Sequence, residues 1–578
     1  MPWIQVYDPF GHAWLSTLAA ALPTGLLLLT LGVLRWPAHR AALLGLASAL
    51  AVSVGCFGMP VSAAVATAVY GAAYGLFPIG WIVLCAIFLY NLSVRSGTFD
   101  VVKQSVAHLS SDRRIQALLI AFSFGAFIEG ASGFGTPVAI SAALLMGLGF
   151  APRQAASLSL IANTAPVAFG AIGTPILTLA AVTGLPAFTL GAMAGRQLPF
   201  VSVLIPAWLV VVMSGWRGLR GVWPAVLVCG GSFGIVQYFW SNHVGPELVD
   251  IAGGLTSLLC IGLLCVWWRP ADQKIGTRAP QPPGADQGGG LRPRVVLRAW
   301  LPWILLSVFV TLWGAIPVKT LLTSGPAGLT RYLATGTTPP PSSWLAPRFD
   351  VPALHRRAFR DYPVVTQPVD RARIDESEYR NARAEAATFS VNWLSATGTG
   401  ILFTALATAL VLGMRPRLVA TVARDTWRQM RRPLVTIAMM LALGQVTRYG
   451  GTDATIGLAF TRTGWLYPFF AAMLGWLGVA LTGSDTSSNV LFGSLQKITA
   501  EQLHLNPVLI TAANSTGGVM GKMIAAQTIV VASAATNQQG QEGSLLRSVF
   551  WHSLVLAAIM GLIVLAQAYL VPWMVPAI

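Results

Sequence analysis

Apolar residues fill this chain in long runs, each close to the ~20 residues that an α-helix needs to cross a bilayer. A window of about 19 residues finds them near 13–34, 41–57, 76–93, 199–213, 222–240, 250–267, 299–316, 399–413, 433–446, 465–481 and 549–570. Two further regions, 115–182 and 482–535, are equally apolar but are broken repeatedly by Gly, Pro and Asn. One long polar insertion covers 317–390, with the proline run Pro339–Pro341 and a mixed-charge stretch from Arg371 to Glu385. The pattern predicts an all-α polytopic membrane protein of roughly 12–14 transmembrane segments or half-segments. It divides into an N-terminal membrane half (1–316), an external loop or cap (317–390) and a C-terminal membrane half (391–578).

The two broken regions look alike. The first reads Phe127-Ile-Glu-Gly-Ala-Ser-Gly-Phe-Gly-Thr-Pro137, then Ile161-Ala-Asn-Thr-Ala-Pro-Val-Ala-Phe-Gly170. The second reads Ala480-Leu-Thr-Gly-Ser-Asp-Thr-Ser-Ser-Asn489, then Thr511-Ala-Ala-Asn-Ser-Thr-Gly-Gly-Val-Met-Gly521. With Asn163 set on Asn514, Thr164 falls on Ser515 and Gly170 on Gly521; Gly130 precedes Asn163 by 33 residues and Gly483 precedes Asn514 by 31. Matched order, spacing and setting predict two pseudo-symmetric repeats with broken or re-entrant helices. Unwound backbone survives at membrane depth where it is buried in protein or lines a wet cavity. Paired breaks in the two halves of a transporter point to a midplane site. Half-helix N-termini there present free N–H groups and a positive dipole end, which suits an anion. Close helix packing through Gly, Ala, Ser and Thr is the rival explanation, but it does not account for Glu129, Asp485 and Lys522 at the same places.

Composition agrees with a membrane setting. Apolar residues make up 55% of the 578 and charged residues 10%, against ~25% charged in soluble domains. Mean hydropathy is +0.66. The net charge of +17 would suggest nucleic acid on a soluble protein, but here the basic residues sit in short loops. They cluster at Arg35–Arg40, Arg95–Arg114, Arg217–Arg220, Arg269–Arg298 and Arg415–Arg432, whereas the loop Ser241–Asp250 carries Glu247 and Asp250 and no Lys or Arg. The positive-inside rule then places the N-terminus outside and the basic loops inside. Long loops cross regardless of charge, so 317–390 is read as external. The first Lys or Arg is Arg35, after the first apolar run, so the N-terminus is read as a retained span rather than a signal peptide. Cys56, Cys85, Cys229, Cys260 and Cys265 lie in apolar runs without a CxxC spacing and are read as buried hydrophobes, not metal ligands.

Ionisable residues inside apolar runs cost about 2.5–3.5 kcal/mol each and need a reason. Glu129 and Asp485 are the candidates for taking a proton on one side and releasing it on the other; the alternative for each is to cap the adjacent half-helix. Ser132, Thr136, Asn163, Thr164, Ser484, Thr486, Asn514, Ser515 and Thr516 are the candidate neutral donors and acceptors for a carboxylate and an adjacent hydroxyl. Arg196 and Lys522 could offset the anion's charge, although Arg196 also reads as a loop-end residue and Lys522 could pair with Asp485. Asp453, Arg448 and Arg462 are read as loop or interface charges, and the seven histidines form no ligand-like pair. Gly230-Gly-Ser-Phe-Gly234 matches GxSxG but lies inside an apolar run, without the strand-turn-helix setting a hydrolase needs. No phosphate-binding loop, dinucleotide fingerprint or metal cluster is visible, so no cofactor is expected and any accumulation must draw on an ion gradient.

Several long motifs resemble the bacterial L-lactate permease family, which also includes glycolate permeases. They are Tyr7-Asp-Pro, Val69-Tyr-Gly-Ala-Ala-Tyr-Gly75, Gly125-Ala-Phe-Ile-Glu-Gly-Ala-Ser-Gly-Phe-Gly135, Asn163-Thr-Ala-Pro-Val-Ala-Phe-Gly170, Gly195-Arg-Gln-Leu-Pro-Phe200, Gly475-Trp-Leu-Gly478, Leu481-Thr-Gly-Ser-Asp-Thr-Ser-Ser-Asn489 and Gly517-Gly-Val-Met-Gly-Lys-Met523. The resemblance runs nearly end to end and departs most at 317–390 and at the Gly/Pro-rich stretch 276–293. It implies a multi-pass protein of the bacterial inner membrane that imports L-lactate, with D-lactate and glycolate, by proton symport. A weaker resemblance links Asn163-Thr164 and Asn514-Ser-Thr516 to the hairpin tips of sodium-coupled dicarboxylate symporters, with Ala162 and Ala513 in place of a leading Ser. A sodium-coupled carboxylate carrier is therefore the second reading. A membrane sensor or scaffold is the third, and lacks a signalling domain of useful size. Oligomeric state is left open.

Overall fold

The computed structural model describes residues 2–576 apart from 31–33, 35, 108, 134, 135, 271–291, 336, 338, 366, 539 and 540. Arg35, most of the stretch between Arg269 and Arg298, and the Phe134–Gly135 step of the first Gly-rich motif lie outside the described residues. Among the described residues, eight helices are long and apolar enough to cross a membrane, or up to ten if each of two bent pairs is one span. Three shorter apolar helices, Ala13–Leu28, Thr136–Gly147 and Thr397–Val411, accompany them. The 12–14 expected segments or half-segments thus resolve into full spans, bent pairs and short helices. The longest helical stretch, Ala187–His243, is itself a hairpin. Gly195 packs on Ser241 and Gly230 on Val203, so its two arms run antiparallel. They turn around Gly215, whose φ of +67° is open to glycine without steric cost.

Contacts separate two faces. Trp3–Ile4 pairs in parallel with Ala358–Phe359, and the Gln5 amide donates to the Tyr449 carbonyl at 2.9 Å. The N-terminus, the 317–390 segment and the end of the helix Pro416–Gly450 therefore share one face. Buried Leu354, Ala358 and Ala387 of that segment join Trp3, Met59, Ala63 and Tyr449 in one apolar cluster, so the segment caps this face. The start of Pro416–Gly450 lies at the opposite, basic face, where Arg298 donates to the Leu412 carbonyl at 3.2 Å. Trp300 reaches Ser105 there, and Arg114 donates to the Gly218 carbonyl at 3.2 Å.

The broken regions are built as hairpins followed by bent spans. In the first, Arg113–Ser132 and Thr136–Gly147 meet at Gly133, which has φ +60°. Arg113 donates to the Gly149 carbonyl at 2.5 Å and Ser141 to that of Ile120 at 3.0 Å, so both ends lie at the basic face. Pro152–Ala162 and Val167–Thr183 follow as a span bent by 65°. In the second region, Tyr467–Thr482 and Asp485–Gln502 meet at Gly483, φ +76°. Gln502 donates to the Pro363 carbonyl at 2.9 Å, which places this hairpin's base at the capped face. Pro507–Ile524 and Gln527–Ala535 then form a span bent by 43°.

One expected break is displaced. Asn514, Ser515 and Thr516 lie within the continuous helix Pro507–Gly521, and the chain leaves helical geometry later, at Ala525 (φ −62°, ψ 129°). The reason is lateral bonding: Asn514 donates to Asn489, Ser515 to Asp485 and Thr516 to Gln197. Their side chains find partners on neighbouring helices, so the backbone ladder need not open. The same helix lies backbone to backbone on Tyr467–Thr482. A Cβ on Gly475 would run into the Asn514 carbonyl, and one on Gly517 into Ala472. This is the small-residue approach typical of membrane helices.

Candidate functional site

A cavity of about 370 Å³ lies where the two hairpin tips and the two bent spans meet. Glu129 and Gly133 line it from the first hairpin, Thr482 to Ser487 from the second. Gly170, Ala171, Thr174 and Pro175 come from the first bent span, and Lys522, Gln527 and Thr528 from the second. Three helix starts therefore face one space: the turns after Gly170, Ser484 and Ala525. Each presents N–H groups that have no partner within the helix and the positive end of a dipole. Ser484 caps its helix by accepting from the Ser487 N–H at 3.3 Å. In the first bent span, Ala171, Ile172 and Gly173 all have positive φ (45°, 56° and 70°), a strained run of the kind that clusters at binding sites.

Three charged groups meet at the cavity. The Lys522 ammonium donates to the Gly483 carbonyl at 2.8 Å and acts electrostatically on both Glu129 and Asp485. One Asp485 oxygen accepts from Ser515 at 2.5 Å and from Asn489 at 3.4 Å; the other has no partner among the described residues. A side chain at Gly518 would overlap the Asp485 carboxylate. Glu129 packs on Gly170, where a Cβ would stand 2.8 Å from its carboxyl oxygen, and its Oε2 has no partner among the described residues. The buried Asn163 amide lies beside Glu129. Unpaired buried polar groups carry a free-energy penalty, and here they cluster around one anion-sized space.

Of the residues singled out from sequence, Glu129, Ser484, Asp485, Thr486 and Lys522 line the cavity. Asn163, Asn514 and Ser515 stand behind it, in contact with the lining carboxylates or their partners. Ser132 and Thr164 spend their hydroxyls on the Ile128 and Ile161 carbonyls, and Thr516 bonds Gln197. Thr136 starts the second arm of the first hairpin, and its N–H donates to the Gly133 carbonyl. Arg196 lies elsewhere, bonded to Asn242 and to the Met574 carbonyl, both at 2.8 Å. Sequence reasoning missed Thr174, Gln527 and Thr528, which carry no signal beyond lying in the broken regions. It also placed Asp250 in a loop; the structure buries it completely in the first turn of Val249–Trp267. Asp453, read as a loop or interface charge, is buried in Thr452–Phe460.

The cavity runs toward the basic face, where His39, Arg432 and Pro433 line it. Toward the capped face it is closed. Asn489 donates to the Pro175 carbonyl at 3.1 Å, Lys497 to that of Thr183 at 3.0 Å and Arg448 to that of Val182 at 3.1 Å. Above them, Glu385 of the cap pairs with Arg360 and Arg448. Burial alone would raise the Glu385 carboxyl, but Arg360 and Arg448 outweigh it and hold the group below its ordinary value.

Comparison with known proteins gives the family of the chain. The family model for L-lactate permease matches residues 16–571. Glycolate permease GlcA of Escherichia coli (strain K12) is 44% identical over 98% of each chain. The L-lactate permease of the same organism is 44% identical over 99% of this chain and 100% of its own. Among solved structures, the YdaH transporter of Alcanivorax borkumensis aligns over 86% of both chains, with 12% identity and a TM-score of 0.43. The chain belongs to the L-lactate permease family.

Proposed function

We propose that this chain is a secondary transporter of the bacterial inner membrane that imports L-lactate, D-lactate, glycolate and similar 2-hydroxy monocarboxylates together with protons. The observation that carries the reading is the Glu129–Lys522–Asp485 set at one cavity ringed by helix N-termini. One fixed cation faces two acids. An incoming carboxylate adds a third negative group, and burying uncompensated charge costs several kcal/mol. Loading a proton on Glu129 or Asp485 cancels the charge that the anion adds, so anion and proton enter the site together. The helix starts and Lys522 take the carboxylate, and Ser484 and Thr486 offer bonds to the 2-hydroxyl. Lactate and glycolate differ by one methyl, about 1 kcal/mol of apolar burial, so one cavity serves both.

The same reading gives the two halves of the chain one plan used twice. A hairpin based at the basic face precedes a bent span in the first half; a hairpin based at the capped face precedes a bent span in the second. Opposite insertion of two such units exposes one site to either side in turn. The test is uptake of labelled lactate into proteoliposomes under separately imposed proton and sodium gradients. A proton gradient drives accumulation and a sodium gradient alone does not. Glu129→Gln loses accumulation and keeps part of the exchange. Accumulation driven by sodium alone, or full accumulation by Glu129→Gln, contradicts the assignment.

A further inference from the structure

Asp250 is fully buried, and neither of its carboxyl oxygens has a hydrogen-bond partner among the described residues. It sits in the first turn of Val249–Trp267, where an acidic side chain could cap the helix, but it accepts no backbone N–H there. A permanently ionised carboxylate without a donor would cost several kcal/mol, and an apolar or amide side chain would fill the space more cheaply. Its surroundings give another reason for an acid. Gly130 packs directly on it: a Cβ at Gly130 would come within 2.9 Å of the Asp250 Cβ. The neighbouring Glu129 acts on it electrostatically. Asp250 is not among the residues lining the cavity, so it stands behind Glu129 rather than beside the anion.

We propose that Asp250 passes the coupled proton to Glu129 from the capped face, along a route separate from the one the anion takes. This rests on the proton-symport reading above. The turn leading into Val249–Trp267 supports the direction. Pro246 packs on Gly173 of the first bent span, and Glu247 next to it lies within the electrostatic reach of Lys319. Lys319 belongs to Ile316–Thr335, which leads into the cap. Carboxyl groups therefore stand in series: Glu247 toward the capped face, Asp250 at the level of the first hairpin tip, and Glu129 at the cavity. Among the described residues the charged group that acts on Asp250 is Glu129, whereas Lys522 acts on Glu129 and Asp485. At each step a carboxylic acid gives its proton to a carboxylate and takes another from the preceding group, so no further reactant is needed. Asp250 is a positioning residue for the proton and never touches the anion.

The test uses the full chain in proteoliposomes holding a pH-sensitive dye, with labelled L-lactate. Three quantities are followed: accumulation under an imposed proton gradient, lumenal acidification during downhill lactate influx, and lactate exchange at equal pH. Asp250→Asn is expected to lower accumulation and acidification on the order of tenfold or more, while exchange stays near the wild-type rate. Asp250→Glu should restore most of the loss, and Glu247→Gln should slow acidification without touching exchange. Wild-type accumulation by Asp250→Asn overturns the route. So does an equal loss of exchange and accumulation in that variant, or no rescue by Asp250→Glu, since either shows a structural role. If the wild type takes up lactate without acidification, the symport reading fails, and the route with it.

Discussion

Lys522 is the residue on which the charge balance of the site turns. It is buried, bonded to the Gly483 carbonyl, and faces both acids. Removing one member of a buried charge set costs about 3–5 kcal/mol, so Lys522→Met should raise the KM for lactate exchange on the order of 100-fold or more. Lys522→Arg should not rescue it, because the wider planar guanidinium cannot replace a compact ammonium at this depth. An unchanged KM in Lys522→Met would remove Lys522 from the anion site. Glu129, Asp485 and Lys522 were legible because an ionisable residue stands out within an apolar run. Asp250 was not: it stands where the loop Ser241–Asp250 meets the apolar run 250–267, and an acid at such a border reads as a loop end. Arg196 shows the opposite error of a charge in a family motif, since its partners are Asn242 and the chain's C-terminal end.

At the scale of elements, the breaks at Gly133 and Gly483 follow from sequence, because clustered Gly and Ser within an apolar run cannot hold a helix at a tight turn. The position of the fourth break did not follow. Asn and Ser in a helix interior read as breakers, yet Asn514, Ser515 and Thr516 bond sideways to Asn489, Asp485 and Gln197. Lateral partners are a tertiary fact that no local pattern records. The contact between Tyr467–Thr482 and Pro507–Gly521 depends on glycine for a different reason, the closeness of two backbones. Gly517→Val should therefore destabilise the protein by about 1–3 kcal/mol through overpacking, seen as a lower melting temperature in detergent. Gly543→Val is the control, since a Cβ there meets nothing within 4 Å among the described residues. Equal melting of the two variants would contradict the packing account.

Across the whole molecule, the site is reached from the basic face and sealed on the capped face, where Glu385 holds Arg360 and Arg448. Because the folded protein depresses the Glu385 carboxyl, this latch is fully in place above the ordinary value of 4.5 and weakens as pH falls through the lower folded value. Below about pH 4.5, amide exchange across 348–390 should rise, and Glu385→Gln should show the same rise at neutral pH. No change in either would mean that the apolar cluster under Leu354 and Ala358 holds the cap unaided.

The most direct test of anion and proton sharing one site is proton uptake on lactate binding to the purified protein, followed with an indicator dye in weak buffer across pH. The account predicts uptake that rises with pH toward one proton per lactate bound and disappears in the Glu129→Gln, Asp485→Asn double variant. Lactate binding with no proton uptake at any pH would contradict it.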